Sequence, residues 1–310
     1  MEVLSLDEKL GGPVTLRNIL LATDGSTAAH WALRAAADLA RRSGAALHLV
    51  TAYEFAPSSV LAYAPYIGPD SAWDAFEADA RKLLDDERAR VVELGAFVGS
   101  LHVAREPAFN AVMDVASTVS ADLIVIGSRE LDRLKRLAVG SVSERVVHSV
   151  HRPVLIIRGG PGSWPPAQVI VGFDKSGASK DAARFAATIT HLYQDAALVL
   201  VAADPIRSVS EDRFLTPDEA VQSEQGQLEA FAKTLEPIAG RSVDIVRAVG
   251  DPADALLACG DERPGTNLTV VGTRGLGAVR RLFLGSVSTR LLHSGHAALL
   301  VVPGHETSAS

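Results

Sequence analysis

Short apolar runs rich in β-branched residues alternate along the chain with longer, Ala-rich stretches of helical periodicity. The runs show little apolar–polar alternation, which predicts strands that are covered on both faces. Ten runs are predicted as strands: residues 19–23, 46–52, 101–104, 123–127, 154–157, 169–173, 198–202, 243–247, 268–272 and 299–302. Helices are predicted between them, for example over residues 28–42, 75–94, 182–193 and 220–238. Strand–helix alternation of this kind predicts right-handed βαβ crossovers and a parallel sheet.

The second half of the chain repeats the first. Three pairs of segments match in the same order: 18–24 with 168–174, 122–129 with 267–274, and 140–151 with 285–296. The first pair is offset by 150 residues and the other two by 145, so five residues are missing from within the second copy. A period of this size indicates a duplicated domain, because solenoid units repeat at about 20–50 residues.

A Gly- and Pro-rich segment, residues 158–167, separates the two copies. Such a segment cannot continue a helix or a central strand. We therefore predict two domains, residues 14–158 and residues 168–303. Each is expected to be a doubly wound α/β domain with a five-stranded parallel sheet and helices on both faces.

Composition narrows the class of protein further. The chain has 310 residues and a formal net charge of −7, which argues against broad attraction to nucleic acid or to an anionic membrane. Cys259 is the only cysteine, which excludes an intrachain disulfide and a cysteine-based zinc cluster. The first residues do not resemble a signal peptide, and no apolar run approaches the roughly 18 residues of a membrane span. The sequence thus predicts a cytoplasmic protein of two globular domains.

A glycine motif in the second copy is the strongest candidate for a ligand site, because doubly wound folds bind ligands beyond the carboxyl ends of their strands. Gly272-Thr-Arg-Gly275 follows the fourth strand, and Gly285-Ser286 opens a predicted helix after nine further residues. Glycines let a ligand approach the backbone, and the start of a helix favours an anion such as phosphate. The hydroxyl groups of Ser286 and Ser288 add donors. The alternative is that the glycines form a tight turn and Ser286 caps the helix.

The spacing Gly-x2-Gly-x9-Gly-Ser after an apolar strand, with an opening strand that ends in Asp, resembles the ATP-binding universal stress proteins. The resemblance covers nearly the whole chain twice, so the chain looks like a tandem universal stress protein. It implies ATP as the ligand, with Mg²⁺ as a further candidate.

The same resemblance implies roles for residues of the second copy. It assigns the phosphates to Gly272, Gly275, Gly285 and Ser286, with Ser288 nearby. It assigns the ribose to Asp174 and adenine to the backbone near Ala202. For Asp174 the alternative is a role as the N-cap of the following helix.

The first copy departs from this pattern. Its matching positions are Asp24, Gly127, Gly140, Ser141 and Ser143. Glu130 replaces the second glycine, and Arg105-Glu-Pro107 stands where the second copy has Gly250-Asp-Pro252. A carboxylate near phosphate would weaken binding, so we expect a weak or lost site in the first copy. The alternative is that Glu130 turns outward and pairs with Arg129 or Arg133, which leaves binding intact.

These observations predict an ATP-binding stress-response regulator, with the nucleotide held mainly in the second copy. One alternative is a slow ATP hydrolase, for which Arg274, Arg280 and Arg281 lie near the motif but no general base is evident. A second alternative is an interaction module without a ligand.

Assembly is expected to follow from the last strand of each copy. Members of this family commonly pair through that strand, and an unpaired apolar edge invites association. Residues 153–157 and 298–303 are therefore expected to pair within the chain as a pseudo-dimer. Pairing between chains as a homodimer and a protein partner of unknown identity are further expectations.

The remaining candidates have plainer interpretations. His148 and His293 lie inside predicted helices, and His151 and His296 lie near the helix ends, so all four are expected to be structural. Cys259 is expected to be packed rather than reactive. The aromatic segment 53–66 could fold over a nucleotide, bind a partner or form an ordinary surface loop.

Overall fold

The structure is a computed structural model. It describes residues 12–54, 69–128, 141–149, 151–158, 160, 162–204, 217–263, 265–273, 285–294 and 298–304. The chain divides into two compact units. The first is Thr15–Trp164, and the second is Pro165–Ser310 together with Met1–Val14. Each unit contains one copy of the sequence repeat.

Helices and strands alternate through both units. The first unit contains β1 (Asn18–Ala22), α1 (Thr27–Ser43), β2 (Ala46–Ala52), α2 (Pro69–Glu93), β3 (Val98–Ala104), α3 (Ala108–Thr118), β4 (Leu123–Gly127), α4 (Ser141–Ser149) and β5 (Val154–Ile157). The second contains β6 (Gln168–Gly172), α5 (Gly177–Leu192), β7 (Ala197–Asp204), α6 (Pro217–Ala239), β8 (Val243–Val249), α7 (Pro252–Asp261), β9 (Asn267–Gly272), α8 (Ser286–Ser294) and β10 (Ala298–Val302).

The two units share one topology. The strand order is β3-β2-β1-β4-β5 in the first unit and β8-β7-β6-β9-β10 in the second. The strand pairs described within each unit are parallel. Helix α1 contacts α2 and α3 contacts α4, and the second unit repeats these contacts with α5 to α8. The predicted doubly wound α/β fold is confirmed.

Side chains and glycines at the helix ends explain where several helices begin and stop. The Ser26 hydroxyl accepts a hydrogen bond of 3.3 Å from the backbone N–H of Ala29 and caps α1. The same helix ends at Gly44, whose φ of 74° is the left-handed conformation that glycine adopts without strain. Asp251 caps α7 by accepting hydrogen bonds from two backbone N–H groups. Each cap satisfies a backbone group that a helix end leaves without an intrahelical partner.

The core of each unit lies along its central strands. Ile19, Leu20 and Leu21 of β1 are completely buried, as are Val169 and Ile170 of β6. Successive residues of a strand point to opposite faces of the sheet. Burial of consecutive residues therefore shows that helices cover both faces of these strands, as the uninterrupted apolar runs predict.

Strands β3 and β8 do not fit the prediction that every strand is covered on both faces. Their residues are half-buried or exposed, and Val249 at the end of β8 is 79% exposed. Strands β5 and β10 also lie at an end of the strand order of their units but are buried, so this position alone does not explain the exposure. Strand β3 also begins at Val98 rather than at 101, since Gly99 and Ser100 weaken the apolar signal at its start.

Two further predictions concern membrane-spanning helices and the packing of Cys259. Among the described residues, no helix combines the length and the apolar character needed to cross a membrane. Cys259 is buried in α7, which confirms that it is packed. Burial raises the pKa of the Cys259 thiol and so disfavours the reactive thiolate.

Candidate functional site

The strand order reverses between β6 and β9 in the second unit. β7 and β8 lie on one side of β6, whereas β9 and β10 lie on the other. Val171 of β6 stands opposite Val270 of β9 in a parallel pair, so the carboxyl ends of both strands open onto the same edge of the sheet. Asp174 follows β6 and Thr273 follows β9 at this edge. Doubly wound folds bind ligands at such a reversal.

Asp174 shapes the connection from β6 into α5. Its Oδ1 accepts a hydrogen bond of 3.0 Å from the backbone N–H of Ser176, and the Ser176 hydroxyl accepts one of 3.1 Å from the Ser179 N–H. Ser176 is therefore the N-cap of α5, and the alternative role of Asp174 as that cap is wrong. Lys175 between them has a φ of 69°, a left-handed conformation that Gly25 adopts at the matching position of the first unit. The turn holds the half-buried Asp174 at the edge.

Gly272, at the end of β9, is required by packing within the chain. A Cβ atom at this position would lie 2.8 Å from the carbonyl carbon and the Cβ of Ala178, at the start of α5. Gly127 has the same position in the first unit, where a Cβ atom would lie 2.8 Å from the Ala29 nitrogen and even closer to the Ala28 carbonyl. Both glycines let a helix start directly against the end of a strand, whether or not a ligand binds there.

The connection from β9 to α8 starts and ends at one place. The Gly285 N–H donates a hydrogen bond of 2.7 Å to the Thr273 carbonyl, and the Thr273 N–H donates one of 2.9 Å to Val302 in β10. The first helical hydrogen bond of α8 runs from the Thr289 N–H to the Gly285 carbonyl. The three N–H groups between them therefore have no carbonyl partner within the helix. This helix start is suited to an anion. Gly275 lies outside the described residues.

The two serines at the start of α8 differ in exposure. Ser288 is 1% exposed, and its hydroxyl donates a hydrogen bond of 3.0 Å to the Gly285 carbonyl. Its hydroxyl thus holds the first turn of α8 in shape. Ser286 is the first residue of the helix and is exposed, so its hydroxyl is the one that a ligand can reach. Gly285, and not Ser286, therefore occupies the cap position.

The candidate adenine position lies within a strand. Ala202 was expected near the end of the second strand of its copy, but β7 continues to Asp204. Ala202 stands opposite Arg247 of β8 in the parallel ladder. The end of β7, to which the resemblance assigns adenine recognition, is therefore two residues further along the chain.

In the first unit the described part of the site matches the second. Asp24 Oδ1 accepts a hydrogen bond of 3.0 Å from the Ser26 N–H, as Asp174 does from Ser176. Ser143 is buried at 2% exposure in α4, like Ser288 in α8. Helix α4 begins at Ser141, about whose side chain nothing is described. Gly140 and Glu130 lie outside the described residues, as do Arg129, Arg133 and most of the aromatic segment 53–66.

The sequence analysis missed a buried cation in the first unit. Arg158 directly follows β5 and is 6% exposed, and the second unit has Pro303 at the matching position. The end of β5 is joined to that of β4, because the Ser128 N–H donates a hydrogen bond of 2.9 Å to the Ile157 carbonyl. Burial lowers the pKa of Arg158 to about 10, which leaves it charged at neutral pH.

A second missed residue joins two helices of the second unit. Arg290 of α8 forms ion pairs of 3.0 Å with Asp251 and 2.5 Å with Asp254 of α7. In the first unit the matching Arg145 lies over the ring of Phe109 instead, at 4.4 Å. The sequence carried a signal for this position, because arginine is present there in both copies.

A third missed feature lies at the carboxyl ends of β2 and β3. Trp73 contacts both Tyr53 and Arg105, and we refer to these three residues as the aromatic stack. The Arg105 guanidinium carbon lies 3.5 Å from the Trp73 ring centroid, and the Tyr53 and Trp73 centroids are 6.0 Å apart. In the described part of the chain no group of three or more His, Cys, Asp or Glu side chains is arranged to hold a metal ion.

Fold and site together define a tandem α/β protein with one candidate ligand-binding edge in each unit. The universal stress protein family model matches residues 15–158 and 167–303. The chain therefore belongs to the universal stress protein family and contains two of its domains in tandem, as the sequence predicted.

Some relatives match nearly the whole chain, and others match about half of it. A universal stress protein of Mycolicibacterium smegmatis is 28% identical over 301 residues, covering 92% of this chain and 96% of the relative. The universal stress protein YxiE of Bacillus subtilis is 31% identical over 145 residues, covering 45% of this chain and 97% of its own. The crystal structure of a universal stress protein from Archaeoglobus fulgidus DSM 4304 covers 92% of this chain and 98% of that one, with a TM-score of 0.70 and 19% identity. This likeness shows the fold.

Proposed function

We propose that this chain is an ATP-binding regulator of the stress response, and that it holds the nucleotide at the carboxyl edge of its second unit. The observation that carries this proposal is the hydrogen bond from the Gly285 N–H to the Thr273 carbonyl. It places the start of α8 directly beside the end of β9, where the strand order reverses. Phosphate at this point would meet the unpaired N–H groups of the first turn and the positive end of the helix dipole.

In this proposal the nucleotide lies in extended form along the edge. Phosphates would lie on the first turn of α8 against the exposed Ser286. The ribose would lie beside Asp174, and adenine beyond the end of β7. Mg²⁺ usually binds to nucleotide phosphates and one or two carboxylates, so Asp174 is the candidate protein ligand for the ion.

The two units are expected to bind ATP unequally. Two unit charges about 4 Å apart interact by roughly 4 kcal/mol at an effective dielectric constant near 20. Glu130 beside a phosphate would therefore weaken binding by up to about three orders of magnitude, since 1.4 kcal/mol corresponds to tenfold. Bridging Mg²⁺, solvent or an outward rotamer of Glu130 reduces this penalty, so it is an upper bound.

Titration calorimetry on the nucleotide-free full-length chain tests the proposal. We expect one tight ATP site per chain and at most one weaker site, and native mass spectrometry of the purified chain should show a co-purified adenine nucleotide. Two equal, tight sites would contradict the asymmetry. The absence of ATP binding would favour the interaction module without a ligand. Phosphate release measured in the same samples with Mg²⁺ would reveal a slow ATP hydrolase.

A further inference from the structure

The aromatic stack lies at the carboxyl edge of the first unit. Tyr53 directly follows β2, and Arg105 directly follows β3. The two strand ends are joined, because the Tyr53 N–H donates a hydrogen bond of 3.0 Å to the Ala104 carbonyl. Trp73 comes from the first turns of α2. Three separate elements thus bring these side chains together.

The position of the stack is that of the candidate base site. In the second unit adenine is assigned to the end of β7 near Ala202, and the sheet register matches Ala202 with Thr51 in the first unit. Tyr53 lies two residues further along the chain, directly after β2. If both units bound a nucleotide in the same pose, the base in the first unit would meet the stack.

The stack leaves no gap for a base. A planar ring placed between two aromatic rings separates them by about 7 Å, because each contact takes about 3.5 Å. The Tyr53 and Trp73 centroids are only 6.0 Å apart, and their planes are tilted by 59°. The guanidinium group of Arg105 lies at contact distance over the Trp73 ring, in cation–π geometry, and covers it there.

Polar contacts along α2 hold the stack in place. The Tyr53 hydroxyl donates a hydrogen bond of 3.4 Å to Oε2 of Glu77, one turn after Trp73 in the helix. Glu77 also forms an ion pair with Arg81. Burial, followed by the Glu77 carboxylate, raises the pKa of Tyr53, so the phenol keeps its proton at neutral pH and continues to donate.

The second unit has no such side chains at two of the three matching positions. Asp204 matches Tyr53 in the sheet register, and Gly250 matches Arg105 in the sequence repeat. An aspartate and a glycine cannot form an aromatic or cation–π contact. The repeat therefore shows that the edge can be built without these groups, and that the two units differ here.

We propose that the first unit closes the base end of its own nucleotide site with Tyr53, Trp73 and Arg105, so that it excludes adenine nucleotides while the second unit binds them. The inference rests on the proposed ATP site. It adds a second cause of asymmetry that is independent of Glu130. A base can enter the first unit only by breaking the contacts of the stack, and their loss lowers its affinity.

The test uses the full chain with Gly285→Asp and Glu130→Gly, which blocks the second site and removes the acidic residue from the first. Arg105→Gly and Trp73→Ala are then added to open the stack. Opening should tighten ATP binding by about tenfold, which corresponds to about 1.4 kcal/mol. Inorganic triphosphate carries no base, so its affinity should not change. Trp164→Ala is the matched control, because Trp164 bonds Asp38 of α1 and lies outside the stack.

The outcomes separate the inference from the proposed function. Equal ATP affinities of the opened and closed chains, with the unmodified second unit binding ATP, would overturn the inference alone. An equal gain for triphosphate would also overturn it, because the stack would then act on phosphate rather than on the base. If neither unit binds ATP in any variant, both are overturned. Melting temperatures of all variants establish that the chains are folded.

Discussion

The backbone N–H of Gly285 donates a hydrogen bond of 2.7 Å to the carbonyl oxygen of Thr273. These two residues are twelve positions apart in the chain, yet they join the end of β9 to the start of α8. The first turn of α8 is therefore joined directly to the sheet. This arrangement holds the proposed phosphate site beside the end of β9.

Replacement of Gly285 by Asp should abolish ATP binding in the second unit. The carboxylate would stand against phosphate and block the approach to the backbone, while the fold should stay intact. Titration calorimetry measures the effect, and Gly140→Asp at the matching position of the first unit is the control, with little expected loss. Unchanged affinity in a folded Gly285→Asp chain would mean that the phosphates bind elsewhere.

Gly272→Ala should destabilise the second unit even without nucleotide. The new methyl group would lie 2.8 Å from Ala178, and overpacking of this kind costs about 1–3 kcal/mol in the free energy of unfolding. Gly226→Ala in α6 is the control, because a Cβ atom there meets nothing within 4 Å and alanine should stabilise the helix by about 1 kcal/mol. Urea unfolding of both variants decides the matter. A neutral Gly272→Ala variant would contradict the packing explanation.

Arg290 is expected to act as a positioning residue for α8. Its ion pairs with Asp251 and Asp254 are partly exposed, so a double-mutant cycle of Arg290→Ala with Asp254→Ala should give a coupling of about 0.2–1 kcal/mol. If this coupling energy is lost in positioning α8, ATP affinity should fall by up to about fivefold. Arg145→Ala is the matched variant in the first unit and should leave the second site unchanged. A larger loss of ATP affinity in the Arg145→Ala chain than in the Arg290→Ala chain would refute the positioning role of Arg290.

Acidic pH should lower the free energy of unfolding of the first unit, and two histidines are the cause. Nδ1 of His48 lies 2.7 Å and Nε2 of His102 lies 2.6 Å from the Ser100 hydroxyl, and Nε2 of His48 lies 3.3 Å from the Asn18 amide oxygen. Burial lowers the pKa of both histidines below the usual value of 6.5, and for His48 the neighbouring His102 lowers it further. The neutral rings each donate one N–H and fit this network.

The sign of the effect follows from these pKa values. As the pH falls below 6.5, the unfolded chain binds protons before the folded one does, so the free energy of unfolding decreases. The free energy of unfolding should be constant at pH values above 6.5, the histidine pKa in the unfolded chain, and should fall progressively below it. Urea unfolding at a series of pH values measures this loss, which should become smaller in a His48→Gln, His102→Gln chain. An identical pH dependence in both chains would exclude these histidines as the cause.

The pairing of the last strands remains a prediction about assembly. β5 lies at the end of the strand order of the first unit, and its four residues Val154–Ile157 are apolar. Residues 1–160 alone should therefore self-associate, whereas in the full chain β10 is the expected internal partner. Sedimentation velocity of the two proteins at several concentrations tests this. A stable monomer of residues 1–160 would remove the basis for the pseudo-dimer.

Local patterns predicted most of the secondary structure, and they also pointed to a candidate ligand edge. The runs 46–52, 123–127 and 154–157 match β2, β4 and β5, because buried parallel strands need continuous apolar residues. β3 was predicted three residues short, since an edge strand tolerates glycine and serine, which carry no apolar signal. The glycines of the motif were found by spacing, but the packing of Gly272 against Ala178 joins residues from different elements and could not be read from spacing.

The sequence by itself determined the duplicated domain, the α/β class and the family, because the repeat and the alternation of strand and helix are local and periodic. Only the tertiary structure decided which residues meet at the carboxyl edge. Arg105, Trp73 and Tyr53 are far apart in the chain, and their contacts exist because β2 and β3 end side by side with α2 beside them. The burial of Arg158 likewise could not be predicted from the sequence, because it depends on how the chain packs around the end of β5. Contacts between distant segments depend on strand order, which no local pattern encodes.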